Sequence, residues 1–509
     1  MAIAKVKSIA LLGLQGHLIE VEVDITEGLP GYTLLGLPDA ALSESRERVR
    51  SAIINSGAPW PNKRVTVSLS PAWLPKSGSS FDAPIAIALL LAQGVIAEGA
   101  QRTLEKTIIM GELSLDGGIK SVRGILPALL SAVREEITDA MIPAANIQES
   151  IAVEAIASVG CASLSEAIAF LNEGVVPDAL AQEWQPDEPT EIDLSDVIGQ
   201  PRARYALEIA AIGAHHLLLI GPPGTGKTML AERLPTIMPS LSPQARLDVG
   251  AIQSIAGLLS PKASLSSQPP FVAPHHTTTA IAMIGGGAHA IRPGACSLAH
   301  EGVLFIDEAP ECRPGVLDAL RQPLESGEVT IARTAGTITY PSRFLLVLAA
   351  NPCPCGKYTG RGLACTCSAL SIRRYLQRMS GPMLDRIDIR TFVETPSRSE
   401  MASGESGESS EVVRQRVATA RAIAMERFSD CTWKINSQIP ASALRHRFRA
   451  SKPGMVFLHN ELESERLSAR GFHKVLRVAW SVADSAAHDL PTREDVEIAY
   501  QLREGADLL

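Results

Sequence analysis

Hydrophobic and polar residues alternate in two early segments of the chain, 19–25 and 65–69, and this period of two predicts β-strands. Two alanine-rich segments, 84–92 and 125–134, have the composition of helices. A mixture of strands and helices over this length predicts that residues 1–172 form one compact α/β unit.

Three uninterrupted apolar runs follow in the middle of the chain, in the sequences LLLIGPPG, GVLFIDE and FLLVLAAN. Strands that are buried on both faces of a parallel sheet have this continuous pattern. They predict the centre of a parallel sheet in a second unit, residues 194–430. In the last unit, residues 431–509, strand signals are absent, and Phe472, Leu476 and Ala479 recur with the period of a helix.

Two segments lack any such period. Residues 173–193 combine prolines with several acidic residues, which is typical of a linker between domains. The sequence PSRSEMASGESGESS, which begins at Pro396, is rich in serine and glycine and predicts an exposed loop.

Composition narrows the function classes. The 55 acidic residues outnumber the 47 basic ones, the net charge is −8 and the pI is near 5.8, so any contact with nucleic acid must come from a local patch. The longest apolar stretch, Ala83–Ala92, is about half of what a membrane span needs. The run Ser8–Leu14 follows two lysines but is interrupted before any cleavage site. We therefore expect a soluble cytoplasmic protein without a membrane partner.

The first apolar run leads into a glycine-rich loop with the Walker A spacing and then into a helix-forming stretch. In such a loop, successive backbone N–H groups surround a phosphate at a helix N-terminus. The lysine neutralises the β- and γ-phosphates, and the following threonine is a ligand of Mg²⁺. The predicted nucleotide-binding residues are Gly221, Pro222, Pro223, Gly224, Thr225, Gly226, Lys227 and Thr228.

The other two apolar runs end in polar residues suited to ATP hydrolysis. Asp307 is predicted to hold Mg²⁺, and Glu308 to activate the attacking water. Asn351 ends the neighbouring run and is predicted to orient the same water. Since ligands bind at the carboxyl ends of parallel strands, these residues predict a P-loop ATPase that uses ATP and Mg²⁺.

Four of the eight cysteines lie within fifteen residues, as two C-x-C pairs. Four thiolates at close spacing form the ligand set of a structural zinc site. The alternative is a loop with four reduced thiols, because C-x-C is less common in zinc sites than longer spacings. The predicted ligands of Zn²⁺ are Cys353, Cys355, Cys365 and Cys367.

Several motifs together resemble the magnesium-chelatase-like AAA+ ATPases of the YifB/ComM type: GPPGTGKT, AHEGVLFIDE, NPCPCG and SGPMLDRIDI, with GLPGYTLLGLPDAALSESRERVRSAI and KSGSSFDAPIAIAL near the start. The resemblance covers nearly the whole chain. It implies an α/β multidomain protein with an N-terminal domain like ribosomal protein S5 and the Lon protease domain. It also implies that this domain is followed along the chain by a P-loop AAA+ parallel sheet with helices on both faces, and then by a C-terminal helical lid.

The same resemblance implies a homo-hexameric ring with ATP held between neighbouring subunits. Asn351 would then be sensor 1, and Arg386 would be the arginine finger that reaches the adjacent subunit's γ-phosphate. The alternative for Arg386 is a surface ion pair with Asp385 or Asp388. Arg470 would be sensor 2 in the helical lid, with Arg477 as the alternative.

Two further features depend on this resemblance. Residues 271–294 are similar to the helix-2 insert, a loop that points into the pore of the ring, and we interpret His275 and His276 there as loop residues rather than metal ligands. The alternating sequence EVTIARTAGTITYP predicts a β-hairpin. In related motors such a hairpin carries a basic residue to nucleic acid, so Arg333 is the candidate phosphate contact.

The similarity to the Lon protease domain raises the possibility of a peptidase with a serine–lysine dyad. Alignment of the motifs puts Asp82 at the serine position and Leu126 at the lysine position, while Ser79, Ser80 and Lys120 are out of register. Neither half of the dyad is present. We therefore expect no peptidase activity.

Family members named ComM act in branch migration during DNA uptake and recombination, so the resemblance implies an ATP-driven motor that translocates on DNA. Two alternatives remain at this point. One is a chelatase-like motor that remodels a protein partner, and the other is a nucleotide-dependent scaffold with little turnover. The presence of both Glu308 and Arg386 disfavours the scaffold, because a switch protein needs neither.

Overall fold

The protein is described by a computed structural model over residues 2–36, 44–76, 78–177, 192–259, 265–287, 291–333, 336–358, 363–397, 400 and 407–504. Most of the predicted linker 173–193 and of the loop that begins at Pro396 lies outside the described residues.

The N-terminal unit is built on a seven-stranded mixed sheet. In spatial order its strands are Gly31–Leu35, Arg64–Ser70, Gln15–Thr26, Ala2–Leu12, Thr107–Ile109, Asp139–Pro143 and Ala157–Cys161. The three long central strands pair antiparallel, and the remaining pairs are parallel. The alternation predicted at 19–25 is confirmed, since Ile19, Val21 and Val23 are buried and their neighbours are not.

Helices cover this sheet and form two apolar clusters with it. The main ones are Ser45–Asn55, Asp82–Ala92, Ile125–Arg134, Ile147–Ile151 and Leu164–Glu173. All eleven residues of Asp82–Ala92 are buried, which explains why this apolar stretch is a core helix and why its sequence lacks a polar face.

A five-stranded parallel sheet forms the second unit and confirms the three predicted central strands. In spatial order it contains the edge strand Phe271–Val272, the Walker B strand Val303–Ile306, the Asn351 strand Leu345–Ala350, the Walker A strand Leu217–Ile220 and the last strand Ile389–Phe392. Leu217 and Leu219 belong to one apolar cluster, whereas Leu218 and Ile220 belong to another. Helices therefore pack on both faces, as predicted, and all four side chains of the Walker A strand are buried.

The longer helices on these faces are Pro201–Gly213, Lys227–Ile237, Pro243–Ala256 and Ala369–Leu376, with short ones at Ala280–Ile284, Ala295–Leu298, Val316–Ala319, Arg321–Ser326 and Gly381–Leu384. Two ribbons lie outside the main sheet: Gly285–Gly286 with Arg292–Pro293, and Glu328–Arg333 with Gly336–Pro341. The second ribbon confirms the predicted hairpin.

The C-terminal region is helical, with Ser410–Arg427, Ala441–His446, Lys452–Glu463, Ala469–Ser485 and Arg493–Glu504. Phe472, Leu476 and Ala479 are all buried on Ala469–Ser485, as their spacing predicts. This helix packs against Pro201–Gly213, so the helical region shares a core with the parallel sheet.

Candidate nucleotide-binding site

The Walker A loop, residues 221–226, joins the Walker A strand to the helix Lys227–Ile237. Gly224 and Gly226 have φ angles of +79° and +87°, in the left-handed region that residues with a Cβ rarely adopt. The loop therefore needs both glycines in order to turn sharply into the helix. The free N–H groups of the first helical turn face the loop, and this arrangement binds phosphate.

Lys227 connects the Walker A loop to the neighbouring strand. Its Nζ donates to the carbonyl oxygens of Gly221 at 2.7 Å and Pro222 at 2.9 Å, and to Asn351 Oδ1 at 3.1 Å. Burial lowers the pKa of Lys227, while attraction from the Asp307 carboxylate opposes that effect. The predicted phosphate-binding lysine and the predicted water-orienting asparagine thus lie in direct contact.

Thr228, in the first turn of the helix Lys227–Ile237, meets Asp307 at the carboxyl end of the Walker B strand. Thr228 Oγ1 donates to Asp307 Oδ2 at 2.9 Å, and the backbone N–H of Glu308 donates to Asp307 Oδ1 at 2.8 Å. A hydroxyl and a carboxylate are hard oxygen donors, the ligand class that Mg²⁺ prefers together with phosphate oxygens. This pair of residues fits a magnesium site.

Glu308 has an unusual backbone conformation and a histidine partner. Its φ and ψ angles are +49° and +43°, a left-handed conformation that is uncommon for a residue with a side chain. His276 Nδ1 lies 3.0 Å from Glu308 Oε2. His276 lies in a loop, as interpreted from the sequence, but sequence reasoning missed its contact with Glu308. No local signal marks this contact, because it depends on the edge strand lying beside the Walker B strand.

Arg386 lies near the amino ends of the parallel strands, whereas the Walker A loop lies at their carboxyl ends. Leu217 pairs with Ile389 and Ile220 with Phe392, so Arg386 precedes the amino end of the last strand. A strand of four residues separates the two edges by about 13 Å. The guanidinium of Arg386 pairs with Glu325 and donates to Pro382 O at 2.8 Å.

Neither of the two partners suggested by the sequence, Asp385 and Asp388, pairs with Arg386. Asp385 instead accepts from Arg470 at 3.2 Å, so the two predicted arginines lie close together. Arg470 is exposed, whereas Arg477 is partly buried and donates to Ile439 O at 2.8 Å. Of the two candidates for sensor 2, only Arg470 has its side chain at the surface beside the Arg386 segment.

The four clustered cysteines meet just after Asn351. The Sγ atoms of Cys353, Cys355 and Cys365 are 3.4 to 3.6 Å apart, and all four sulfurs, including that of Cys367, lie within 4.8 Å of one another. Four sulfurs bound to one zinc at about 2.3 Å lie about 3.8 Å apart, whereas a disulfide brings two of them to about 2.0 Å. The spacing fits a tetrahedral thiolate site.

The cysteine cluster also contacts the Walker A loop. Backbone N–H groups of Lys357 and Thr366 lower the pKa of Cys355 to about 6, which favours the thiolate form that binds metal. Gly356 has a φ of +72°, and a Cβ built there would lie 2.5 Å from Pro223 Cδ. The turn that ends just after the first two cysteines therefore packs against the phosphate-binding loop.

A second contact to the loop, through Gln200, was missed by sequence reasoning. Its Nε2 donates to Thr225 O at 2.7 Å and to Glu394 O at 3.1 Å, linking the loop to the end of the last strand. Beside it lies a cavity of about 500 Å³ whose lining includes Ile198 and Tyr205. No short motif marks these positions in the sequence.

The remaining predicted residues lie elsewhere. The hairpin strand ends at Arg333, but its side chain lies outside the described residues. In the N-terminal unit, Arg48 Nε donates to Asp82 Oδ2 at 2.6 Å, and Leu126 is fully buried in the core. An ion-paired carboxylate and a buried leucine thus occupy the positions that the motif alignment assigns to the serine and lysine of a Lon-type dyad.

Family models described as magnesium chelatase subunit ChlI match this chain in three segments: residues 21–146, residues 193–401, and, for the C-terminal part of that subunit, residues 407–503. The chain is 47% identical over 506 residues to an uncharacterized protein of Mycobacterium tuberculosis, covering 99% of both chains. It is 40% identical to the competence protein ComM of Haemophilus influenzae, over 95% of this chain and 94% of ComM. It is also 40% identical to the uncharacterized protein YifB of Escherichia coli, over 99% and 97%. None of the described helices combines the length with the continuous apolar sequence that a membrane span requires.

Proposed function

Because this chain belongs to the magnesium-chelatase-like AAA+ ATPases of the YifB/ComM family, we propose that it hydrolyses ATP in the cytoplasm and uses the energy to translocate on DNA and promote branch migration. The observation that carries the hydrolysis step is the convergence of Lys227, Asn351, Thr228 and Asp307 at the carboxyl edge of one parallel sheet. Asp307 and Asn351 follow two neighbouring strands, and Lys227 and Thr228 begin the helix after the Walker A loop, so their meeting is a property of the fold.

Each side chain at this edge has a distinct role in the proposed reaction. Lys227 binds the β- and γ-phosphates, and Thr228 and Asp307 hold Mg²⁺, which neutralises phosphate charge when it is bound. Glu308 accepts a proton from the attacking water, and Asn351 orients that water toward the γ-phosphate. The loop glycines allow backbone N–H groups to approach the phosphates closely. The cavity beside Gln200 has room for the nucleoside part of ATP.

The position of Arg386 supports the proposal of a homo-hexameric ring. With the sheet between Arg386 and the Walker A loop of its own chain, Arg386 is suited to reach a nucleotide held by a second copy. Arg470, beside Asp385, would approach the same neighbouring nucleotide. An arginine supplied by another subunit makes hydrolysis depend on assembly.

We also propose that Cys353, Cys355, Cys365 and Cys367 hold a structural Zn²⁺. Sulfur spacings near those of a tetrahedral thiolate site support the metal, and the four ligands leave no open position for catalysis. Because the site follows Asn351 and packs on Pro223, the metal would stiffen the loop that borders the nucleotide.

We base the proposal that the motor moves along DNA on the relative named as a competence protein and on the hairpin whose first strand ends at Arg333. With a net charge of −8, the protein needs a local basic contact to bind phosphates. We do not propose peptidase activity for the N-terminal unit, given the residues at its dyad positions.

Hydrolysis is tested with Glu308→Gln, which keeps the shape of the side chain but removes its basicity. We expect ATP binding to persist and turnover to fall by about a hundredfold or more, because a general base typically contributes that much. Turnover at the wild-type rate would contradict the role of Glu308.

The DNA step is tested by measuring ATP turnover with branched, duplex and single-stranded DNA at two salt concentrations. We expect stimulation that weakens steeply with salt, because phosphate contacts release counterions. Arg333→Ala should reduce the stimulation, whereas Arg493→Ala, at an exposed helical position, should not. Turnover that no DNA changes would contradict the DNA step and favour a protein substrate, as for a chelatase-like motor.

A further inference from the structure

We infer that a basic corner in the helical region, formed by Arg445, Arg449 and Lys452, binds the phosphates of nucleic acid. This inference rests on the proposed function, because it assumes that the protein contacts DNA. It adds a contact surface to the one proposed for the hairpin that carries Arg333.

Charge is distributed unevenly along the chain, and the basic corner lies where acidic residues are missing. The whole chain has 55 acidic and 47 basic residues, yet residues 431–460 contain no aspartate or glutamate. A local excess of positive charge in an acidic protein is expected where a phosphate-bearing partner binds. The lysines and arginines of this segment are Lys434, Arg445, Arg447, Arg449 and Lys452.

The connection between the helices Ala441–His446 and Lys452–Glu463 holds the basic corner in place. Phe448, in the middle of this connection, is buried, and its ring packs edge to face against that of Trp480, with the centroids 6.0 Å apart. The carbonyl oxygen of Phe448 also accepts from Trp480 Nε1 at 3.0 Å. The next residue, Arg449, is therefore exposed on a backbone that packing against the core holds in place.

The exposed cations of the basic corner have no acidic partner that neutralises them. Arg445, Arg449 and Lys452 form no ion pair with any described residue, whereas Arg447 pairs with Asp430 at 2.8 Å. An unpaired arginine keeps its full charge and its planar set of N–H donors, which can bind two phosphate oxygens at once. The basic corner therefore offers three charges that phosphates can neutralise.

The pKa of a neighbouring histidine reflects this positive charge. Burial lowers the pKa of His473, and the nearby charges of Arg477 and Arg445 lower it further. His473 and Arg477 belong to the helix Ala469–Ser485, so positive charge extends from the basic corner onto that helix.

The exposed side chains of this surface distinguish nucleic acid from other partners. Within residues 441–452, all of which the structure describes, no large apolar side chain is exposed. Protein interfaces are anchored by aromatic or other large side chains in buried pockets, and helices bound to a membrane surface bury an apolar face. Exposed arginine and lysine without such anchors are typical of sequence-independent contact with a phosphate backbone.

The test measures, by fluorescence anisotropy, how tightly the full chain with the slowly hydrolysed analogue ATPγS binds a labelled duplex oligonucleotide between about 50 and 200 mM salt. The triple variant Arg445→Gln, Arg449→Gln and Lys452→Gln removes three charges but keeps polar side chains. Its Kd at about 0.1 M salt should rise by at least about tenfold, and its slope of log K against log salt should become shallower by about 2 to 3. Basal ATP turnover without DNA should stay at the wild-type rate.

Two control variants separate charge at the basic corner from general effects. Lys63→Gln, Arg414→Gln and Arg493→Gln together remove three exposed charges that already have acidic partners, and should leave the salt slope unchanged. Arg445→Lys combined with Arg449→Lys keeps both charges and should also keep the salt slope.

The outcomes separate the basic corner from the proposed DNA step. If wild type binds DNA with a steep salt dependence and the triple variant has the same Kd and slope, the inference is overturned while DNA binding stands. If wild type shows no salt-dependent binding of DNA, the proposed DNA step fails and the inference fails with it. If the triple variant loses basal turnover, Arg449→Gln alone decides: its slope should become shallower by about 0.9, and an unchanged slope would overturn the inference.

Discussion

Lys474 forms a buried ion pair that joins the helical region to the segment carrying Arg386, and we predict that Lys474→Met destabilises this part of the protein. Its ammonium pairs with Asp388 and donates to Arg386 O at 2.8 Å. The side chains of Asp388 and Lys474 are only 4% and 12% exposed. Methionine keeps most of the length and apolar surface of lysine, so the substitution removes mainly the charge and its hydrogen bonds.

The expected loss follows from what remains around Asp388. Removal of one partner of a buried ion pair typically costs about 3–5 kcal/mol, because the other charge is left without compensation. Asp388 still accepts from the backbone N–H of His216 at 3.1 Å, and His215 Nδ1 lies 3.8 Å away. We therefore expect about 2–4 kcal/mol of lost unfolding free energy after allowing for these contacts.

Thermal unfolding provides the assay. If the family-matched region from residue 193 to residue 503 unfolds as one unit of about 310 residues, its unfolding entropy is about 0.65 kcal/mol/K, and Tm falls by about 3 to 6 °C. Arg493→Ala is the control, because it breaks an exposed pair with Glu497 worth less than about 0.5 kcal/mol. The double variant Asp388→Asn with Lys474→Met should recover part of the loss, since it leaves no unpaired buried charge. If Lys474→Met melts within 1 °C of wild type, the pair does not contribute as a buried ion pair and the reasoning is wrong.

Three further predictions concern pH, metal and assembly. Burial opposes ionisation of Asp388, but Lys474 and His215 outweigh it and hold the pKa of Asp388 well below its usual range. Because its stabilising contribution is present above pH 4 and is lost as the pH falls further, the unfolding free energies of wild type and Asp388→Asn, from denaturant titrations between pH 6 and pH 3, should converge at the acid end. Purified protein should contain one equivalent of zinc by elemental analysis, and Cys365→Ser should lose the zinc and turn over ATP more slowly. Loss of Cys431, which lies outside the cluster, should change neither the zinc content nor the turnover. Arg386→Ala and Lys227→Ala should each be inactive alone, but an equal mixture should regain about a quarter of wild-type turnover if the arginine acts on the neighbouring subunit and the subunits mix at random. No recovery of turnover in rings shown to contain both variants would contradict that arrangement.

The residues at the carboxyl edge of the sheet could be predicted from the sequence because their signals are local. The apolar run of Leu217–Ile220 predicts a buried strand, and the glycines that follow are required by the backbone of the loop itself. Asp307 and Asn351 each follow a similar run, and the carboxyl ends of parallel strands meet at one edge whatever the intervening loops do. The cysteine cluster was predictable for the same reason, since its ligands lie close together in the chain.

The partners of these residues could not be predicted, because they depend on packing between distant segments. Nothing in the sequence beside Arg386 points to Glu325, and the acidic neighbours Asp385 and Asp388 are the obvious but wrong choices. Only the fold shows that Asp385 meets Arg470 and that Asp388 turns inward. The contact between His276 and Glu308 likewise requires the edge strand to lie beside the Walker B strand, an order that the sequence does not reveal.

The two edges of the sheet differ in what holds them. At the carboxyl edge, Lys227 and Asp307 are bound to groups that nucleotide and Mg²⁺ can replace, so this edge is expected to rearrange when ATP binds. At the amino edge, Lys474 fastens Arg386 to the helix Ala469–Ser485 through a buried contact that solvent cannot readily replace. Any rotation of that helix relative to the sheet must therefore either move the Arg386 segment or break the ion pair. Since breaking it is costly, we expect the arginine and the helical region to move together during the ATPase cycle.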